Sequence, residues 1–224
     1  MAAKLLSLLL SLLLLGQGTV NQYAEEMSLG GNLFLVNRQY RITEDYVPND
    51  LVRPNVASTY SNIKMRAEAA TALEEMFQVA KEEAGYTLMA ISGYRSYGKQ
   101  SAIFDRKVKN AGRKEAVLLV ALPGASEHQL GLAMDLGCKK NSYLNEAFGD
   151  TPEGQWVNEN CHRFGFIIRY KKEWTEITGY AFEPWHVRYV GKEHAARIHE
   201  LDIPLEYYIA QLREAQYALV SGKE

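Results

Sequence analysis

The stretch SNIKMRAEAATALEEMFQVAKEEAGYTLMAIS (residues 61–92) decides how the chain is built. Leu73, Met76, Phe77 and Ala80 fall at i, i+3, i+4 and i+7, the spacing of one helical face turned toward a core. Gly85 supplies the stop, because glycine accepts the left-handed conformation that ends a helix. YTLMAIS then reads as a buried strand that closes on GYRS (residues 93–96). Toward the C-terminus, a second helix is expected from Gly98 to about Ala111, and residues 132–136 alternate weakly and suit a strand. Asp150, Thr151 and Pro152, with Glu153 in the first turn, form a helix-start pattern. FIIRY (residues 166–170) and PWHVRYV (residues 184–190) read as strands, and residues 191–220 carry helical patterns around Pro204. On the N-terminal side, NLFLVNRQYRI (residues 32–42) looks strand-like at its start, and EDYVPNDLVRPNVA (residues 44–57) reads as an extended loop. Helices and strands mix without a regular βαβ rhythm. The expected fold class is α+β: a small single domain, with a central, mostly antiparallel sheet flanked by helices.

The 224 residues have room for one domain with appendages, and a 47% hydrophobic content supplies a real core. A formal net charge of -2 leaves no basic footprint, so nucleic acid is not an expected partner. Lys4 precedes the apolar run LLSLLLSLLLL (residues 5–15), and small residues follow in GQGTV. That order describes a secretory signal peptide, and the run falls short of the roughly 20 residues a membrane-spanning helix needs. The expected organisation is a signal peptide at 1–20, a linker at 21–31 and one domain at 32–224. Localisation is then extracytoplasmic, with no stable membrane insertion once the signal is removed. An uncleaved anchor is the other reading, since the cleavage region lacks the alanine pattern. Cys138 and Cys161 allow one disulfide in an exported protein, or serve as two small buried hydrophobes.

PGASEHQLGLAMDLG (residues 123–137) places His128 and Asp135 in a stretch otherwise small and apolar. An imidazole and a carboxylate suit zinc, but the pair also suits a hydrogen bond that merely holds a turn. In EPWHVRYV (residues 183–190), Glu183 precedes His186 by three, and Pro184 argues for a loop entering a strand. His186 would be a third ligand, leaving a fourth metal position open as catalytic zinc sites do. Glu183 would stand beside that position as proton acceptor, or be a surface charge next to a core Trp185. In SGYRSYGKQ (residues 92–100), Arg95 ends the core strand. It can fork onto a carboxylate or polarise a carbonyl, or make a surface salt bridge. His162, His194 and His199 lie in polar helical contexts and read as surface residues.

Together these stretches resemble the VanY-like D-alanyl-D-alanine carboxypeptidase family of zinc peptidases, which includes L,D-carboxypeptidase relatives. Its pattern is S-x-H-x-x-G-x-A-x-D, then E-x-W-H, with G-Y-R-S upstream. Ser126, His128, Gly131, Ala133 and Asp135 are in register, as are Glu183, Trp185 and His186, and residues 93–96 supply the upstream element. The resemblance runs over roughly residues 32–191. It implies a Zn2+ cofactor held by His128, Asp135 and His186 at the sheet. Glu183 would be general base and then acid, and Arg95 would contact substrate and stabilise the oxyanion. Ser126 and Gln100 would line the substrate pocket. The implied activity is a zinc metallo-carboxypeptidase that removes the C-terminal D-alanine from peptidoglycan stem peptides, by Glu-assisted attack of zinc-bound water. The motifs do not separate a D,D-enzyme from an L,D-enzyme. A peptidoglycan endopeptidase on the same scaffold is a further reading. So is a non-catalytic, zinc-stabilised wall-peptide-binding domain, although such a module needs no base beside the metal.

Overall fold

A computed structural model of the chain describes residues 17–221. The signal peptide expected at 1–20 lies outside these residues except for its last four positions, which begin helix α1 (Gln17–Glu26). Within residues 21–31, expected to be a linker, two side chains reach the core. Tyr23 and Met27, one helical turn apart, are both buried. Tyr23 Oη donates to Glu193 Oε1 at 2.9 Å, and Glu26 Oε2 meets His194 Nε2 at 2.7 Å. The polar composition of this stretch concealed a single apolar stripe.

The strand expected at the start of 32–42 does not form. The carbonyls of Asn32 and Phe34 accept hydrogen bonds from Arg188 Nη2, at 2.8 and 2.9 Å. A guanidinium therefore satisfies this backbone where a neighbouring strand would have done so. Two short strands, β1 (Leu51–Val52) and β2 (Met65–Arg66), pair antiparallel. That pairing delays helix α2 until Ala67, and the helix runs as Ala67–Ala84. Its buried face holds Leu73, Met76, Phe77 and Ala80 as the spacing predicts. Gly85 closes it at φ 72°, with its N–H on the carbonyls of Ala80 and Lys81.

Strand β3 (Leu88–Ser92) leads to α3 (Tyr97–Ala111) and α4 (Arg113–Leu119). A 3₁₀ turn, Glu127–Leu130, precedes β4 (Ala133–Cys138). Helix α5 (Pro152–Asn160) starts as read, with the Thr151 side chain accepting from Gly154 N. Then come β5 (Phe166–Tyr170), α6 (Thr175–Thr178) and β6 (Glu183–Tyr189). Helices α7 (Lys192–Leu201) and α8 (Leu205–Ser221) flank Pro204.

The main sheet has the order β3-β4-β6-β5, and every neighbouring pair is antiparallel. Alternation along each strand divides the sheet into two chemistries. Leu88, Ala90, Met134, Leu136, Phe166, Ile168, Val187 and Tyr189 join the core that α2 and α5 cover. The alternate positions include Asp135, Arg169, His186 and Arg188, all buried. A second cluster packs Ile167 and Val190 against α1, α7 and α8. Cys138 and Cys161 are buried and free in the first core, so the disulfide alternative does not hold. His194 corrects its surface reading. It is 5% exposed and held between Tyr208 Oη, at 2.8 Å, and Glu26. His162 and His199 stack at 3.7 Å between centroids.

Candidate active site

The two central strands deliver the site. Asp135 on β4 and His186 on β6 are direct cross-strand partners, so their side chains share one face. His128 arrives from the 3₁₀ turn just before β4. Gly131 ends that turn at φ 70°, where a Cβ would meet Leu51 Cδ2 at 2.9 Å. Only a residue without a side chain reverses the backbone there at no cost. Two departures from regular pairing aim the remaining groups. Between Ala90 and Ser92 the ladder with β4 slips by one residue, bending the end of β3 toward the site. Gly93, just beyond it, accepts from His128 Nδ1 at 2.8 Å, so Nε2 is left to face the site. Between Ile168 and Tyr170 of β5 the opposing strand advances from Val187 to Glu183. That surplus brings Glu183, three residues from His186, onto the same side, with its Oε2 3.8 Å from His186 Nδ1. In an unbroken strand, residues three apart point to opposite faces.

His128 Nε2 lies 3.3 Å from Asp135 Oδ2, and His186 Nδ1 lies 3.1 Å from Asp135 Oδ1. One donor atom from each of the three residues falls within 4.8 Å of the others. Two imidazoles and a carboxylate in one buried cluster fit the donor set that zinc prefers. The electrostatics agree. Burial alone would lower the pKa of His186, yet its bonds to Asp135 and Glu127 raise it to about 9. Asp135 stays ionised although buried, held well below the carboxylate range by the two imidazoles. Burial lowers the pKa of His128, with Asp135 opposing.

Glu183 behaves in the opposite way. Burial pushes its carboxyl up to about 7, with His186 opposing the rise. Arg95 Nη2 stands 3.8 Å from Asp135 Oδ2 and 3.4 Å from Ser92 Oγ. Its Nη1 donates to Gln100 Oε1 at 2.9 Å, and Gln100 Nε2 donates to Ala121 O at 2.6 Å. Gln100 is therefore spent on orienting the guanidinium. A cavity of about 240 Å³ opens over the cluster, lined by Arg95, Gln100, Ser126, His128, Asp135, Glu183 and His186. All seven residues singled out from the sequence thus meet at one place.

The sequence reading missed Glu127, Arg169 and Arg188. Glu127 is buried, with Oε2 3.1 Å from His186 Nε2. Its Oε1 accepts from Arg169 Nε and Arg188 Nη1, each at 2.8 Å. Those arginines hold its carboxyl well below the usual range against the effect of burial. The available signal was an arginine inside each of two apolar strands, FIIRY and WHVRYV, where an unpaired charge is not tolerated. Tyr170, Tyr180 and Trp185 complete the wall around the cluster.

Comparison with known proteins agrees with this arrangement. Residues 62–192, which contain every residue of the cluster, match the sequence profile of VanY, the D-alanyl-D-alanine carboxypeptidases. The chain belongs to the VanY D-alanyl-D-alanine carboxypeptidase family. The chain is also similar to YodJ of Bacillus subtilis (strain 168), 49% identical over 187 residues, which cover 81% of this chain and 68% of that protein. The chain thus spans about two thirds of YodJ. Among solved structures, the LdcB LD-carboxypeptidase is 50% identical with a TM-score of 0.73, covering 78% of this chain and 84% of that one. A mutant of the vancomycin resistance D,D-pentapeptidase VanY, in complex with Zn(II), is 35% identical with a TM-score of 0.66, covering 80% and 98%.

Proposed function

We propose that this VanY-family chain is an exported zinc carboxypeptidase that removes the C-terminal D-alanine from peptidoglycan stem peptides. The carrying observation is the buried His128, Asp135 and His186 cluster, with Glu183 3.8 Å from the nitrogen of His186 that faces it. His128 Nε2, His186 Nδ1 and an Asp135 oxygen would hold the metal. Zinc supplies Lewis acidity, which activates water and polarises a carbonyl at neutral pH. Glu183 takes a proton from the attacking water and returns it to the departing amine. A carboxylate held there can take up and then release a proton, as the two steps require. Arg95, fixed by Gln100, offers its guanidinium to the peptide's terminal carboxylate or to the developing oxyanion. Ser126 lines the same cavity and would contact the peptide. Tyr170, Tyr180 and Trp185 give the same cavity an aromatic side against which a peptide could pack.

LdcB is an LD-carboxypeptidase and VanY a D,D-pentapeptidase. Identity of 50% to the first against 35% to the second favours the tetrapeptide as the better substrate. Export rests on the N-terminal apolar run, and among the described residues no helix is long and apolar enough to cross a membrane. Incubation of the purified protein with synthetic tetrapeptide and pentapeptide, read by mass, tests this reading. Loss of one alanine from the tetrapeptide is expected. Binding without cleavage of either peptide would instead favour a wall-peptide-binding module, and cleavage within the stem an endopeptidase.

A further inference from the structure

Both histidines of the cluster turn one ring nitrogen toward Asp135 and the other toward the protein, but what stands behind them differs. Behind His128 is a neutral backbone carbonyl, Gly93 O, at 2.8 Å from Nδ1. Behind His186 is a carboxylate, with Glu127 Oε2 at 3.1 Å from Nε2. That carboxylate cannot turn away. Its other oxygen is pinned by Arg169 Nε and Arg188 Nη1, both at 2.8 Å, and all three side chains are buried. Glu206 in turn accepts from Arg169 Nη1 and Nη2, at 2.9 and 2.5 Å. Two guanidiniums on one oxygen exceed what Glu127 needs for structural pairing, and they leave the second oxygen free to face the imidazole. Glu127 is also the residue next to His128, so the same 3₁₀ turn carries one candidate ligand and the group behind the other.

We propose that Glu127 is a positioning residue for the metal: it fixes His186 with its proton on Nε2, turns Nδ1 toward the cluster, and strengthens that nitrogen as a donor. This rests on the reading that His128, Asp135 and His186 hold zinc. A carboxylate accepting the outer N–H of a ligating imidazole sets the tautomer and raises ligand basicity, and its loss costs about 10–100-fold in metal affinity.

The test compares Glu127→Gln with Glu206→Gln, measuring zinc affinity by competition with a chelator of known strength. Glu206 belongs to the same ion network but does not touch His186. Zinc dissociation constants should rise about 10–100-fold in Glu127→Gln and stay near wild type in Glu206→Gln. A second measurement uses the zinc-loaded wild-type protein and so holds whether or not the variant folds. Histidine ¹⁵N NMR should show His186 metallated on Nδ1, with a hydrogen-bonded proton on Nε2. Wild-type affinity in a folded Glu127→Gln, equal losses in both variants, or a proton on His186 Nδ1 would each overturn the assignment. A wild-type protein that binds no zinc would overturn the metal reading itself, which separates the two failures.

Discussion

Glu183 and Asp135 are carboxylates in the same cluster with opposite electrostatic fates. Asp135 is flanked by two imidazoles and stays ionised. Glu183, its side chain 15% exposed and less compensated, is pushed by partial burial from 4.5 up to about 7. The raised value carries a stability cost with a definite sign. Below about pH 4.5 the carboxyl is neutral in both folded and unfolded chains, and there is no penalty. As pH rises through about 7 the unfolded chain ionises freely while the folded one resists, so stability is lost over that window. Glu183→Gln removes the charge and keeps the shape. In metal-stripped protein it should therefore stabilise the fold by about 1–3 kcal/mol at pH 8 and by nearly nothing at pH 4. Thermal melts of the two proteins at both pH values measure this. A variant less stable than wild type at pH 8 would show that the carboxylate is well compensated, and that its pKa is not raised.

At the scale of elements, the sheet keeps packing and chemistry on opposite faces. Leu73 lies in the core under α2, on the side away from Asp135 and His186. Leu73→Ala should cost about 2–5 kcal/mol in denaturant unfolding while zinc affinity stays within a few-fold of wild type. A large loss of affinity would mean that the two faces are coupled. This separation also explains what the sequence made legible. The α2 face and its Gly85 stop were readable because helical period and capping are local. Strands β3 to β6 were readable as short apolar runs. The motif residues were readable because His, Asp and Glu among small apolar neighbours have few structural uses. The approach of Glu183 to His186 was not readable, since it depends on a register slip between β5 and β6. Residues 32–42 misled because their carbonyls go to Arg188, a partner about 150 positions away. The burial of Tyr23 and Met27 was hidden for the same reason, as the cluster they join is built largely from α7 and α8, far along the chain.

Across the molecule, two hydrophobic clusters among the described residues sit around a buried polar layer. The first, under α2 and α5, supports the floor of the site through β4 and β6. The second ties α1 to α7 and α8. Between them the ion network of Glu127, Arg169, Arg188 and Glu206 joins the 3₁₀ turn, β5, β6 and α8. Such a layer holds the cluster still, which preorganised catalysis requires. In the proposed function this rigid frame holds a metal and sets a separate proton shuttle beside it. Zinc content and turnover of Glu183→Gln on the stem tetrapeptide, measured on the same sample, test this claim. Zinc should remain at about one per chain while turnover falls by roughly 100-fold or more, the scale expected when acid–base assistance is lost. Wild-type turnover with zinc in place would contradict the claim.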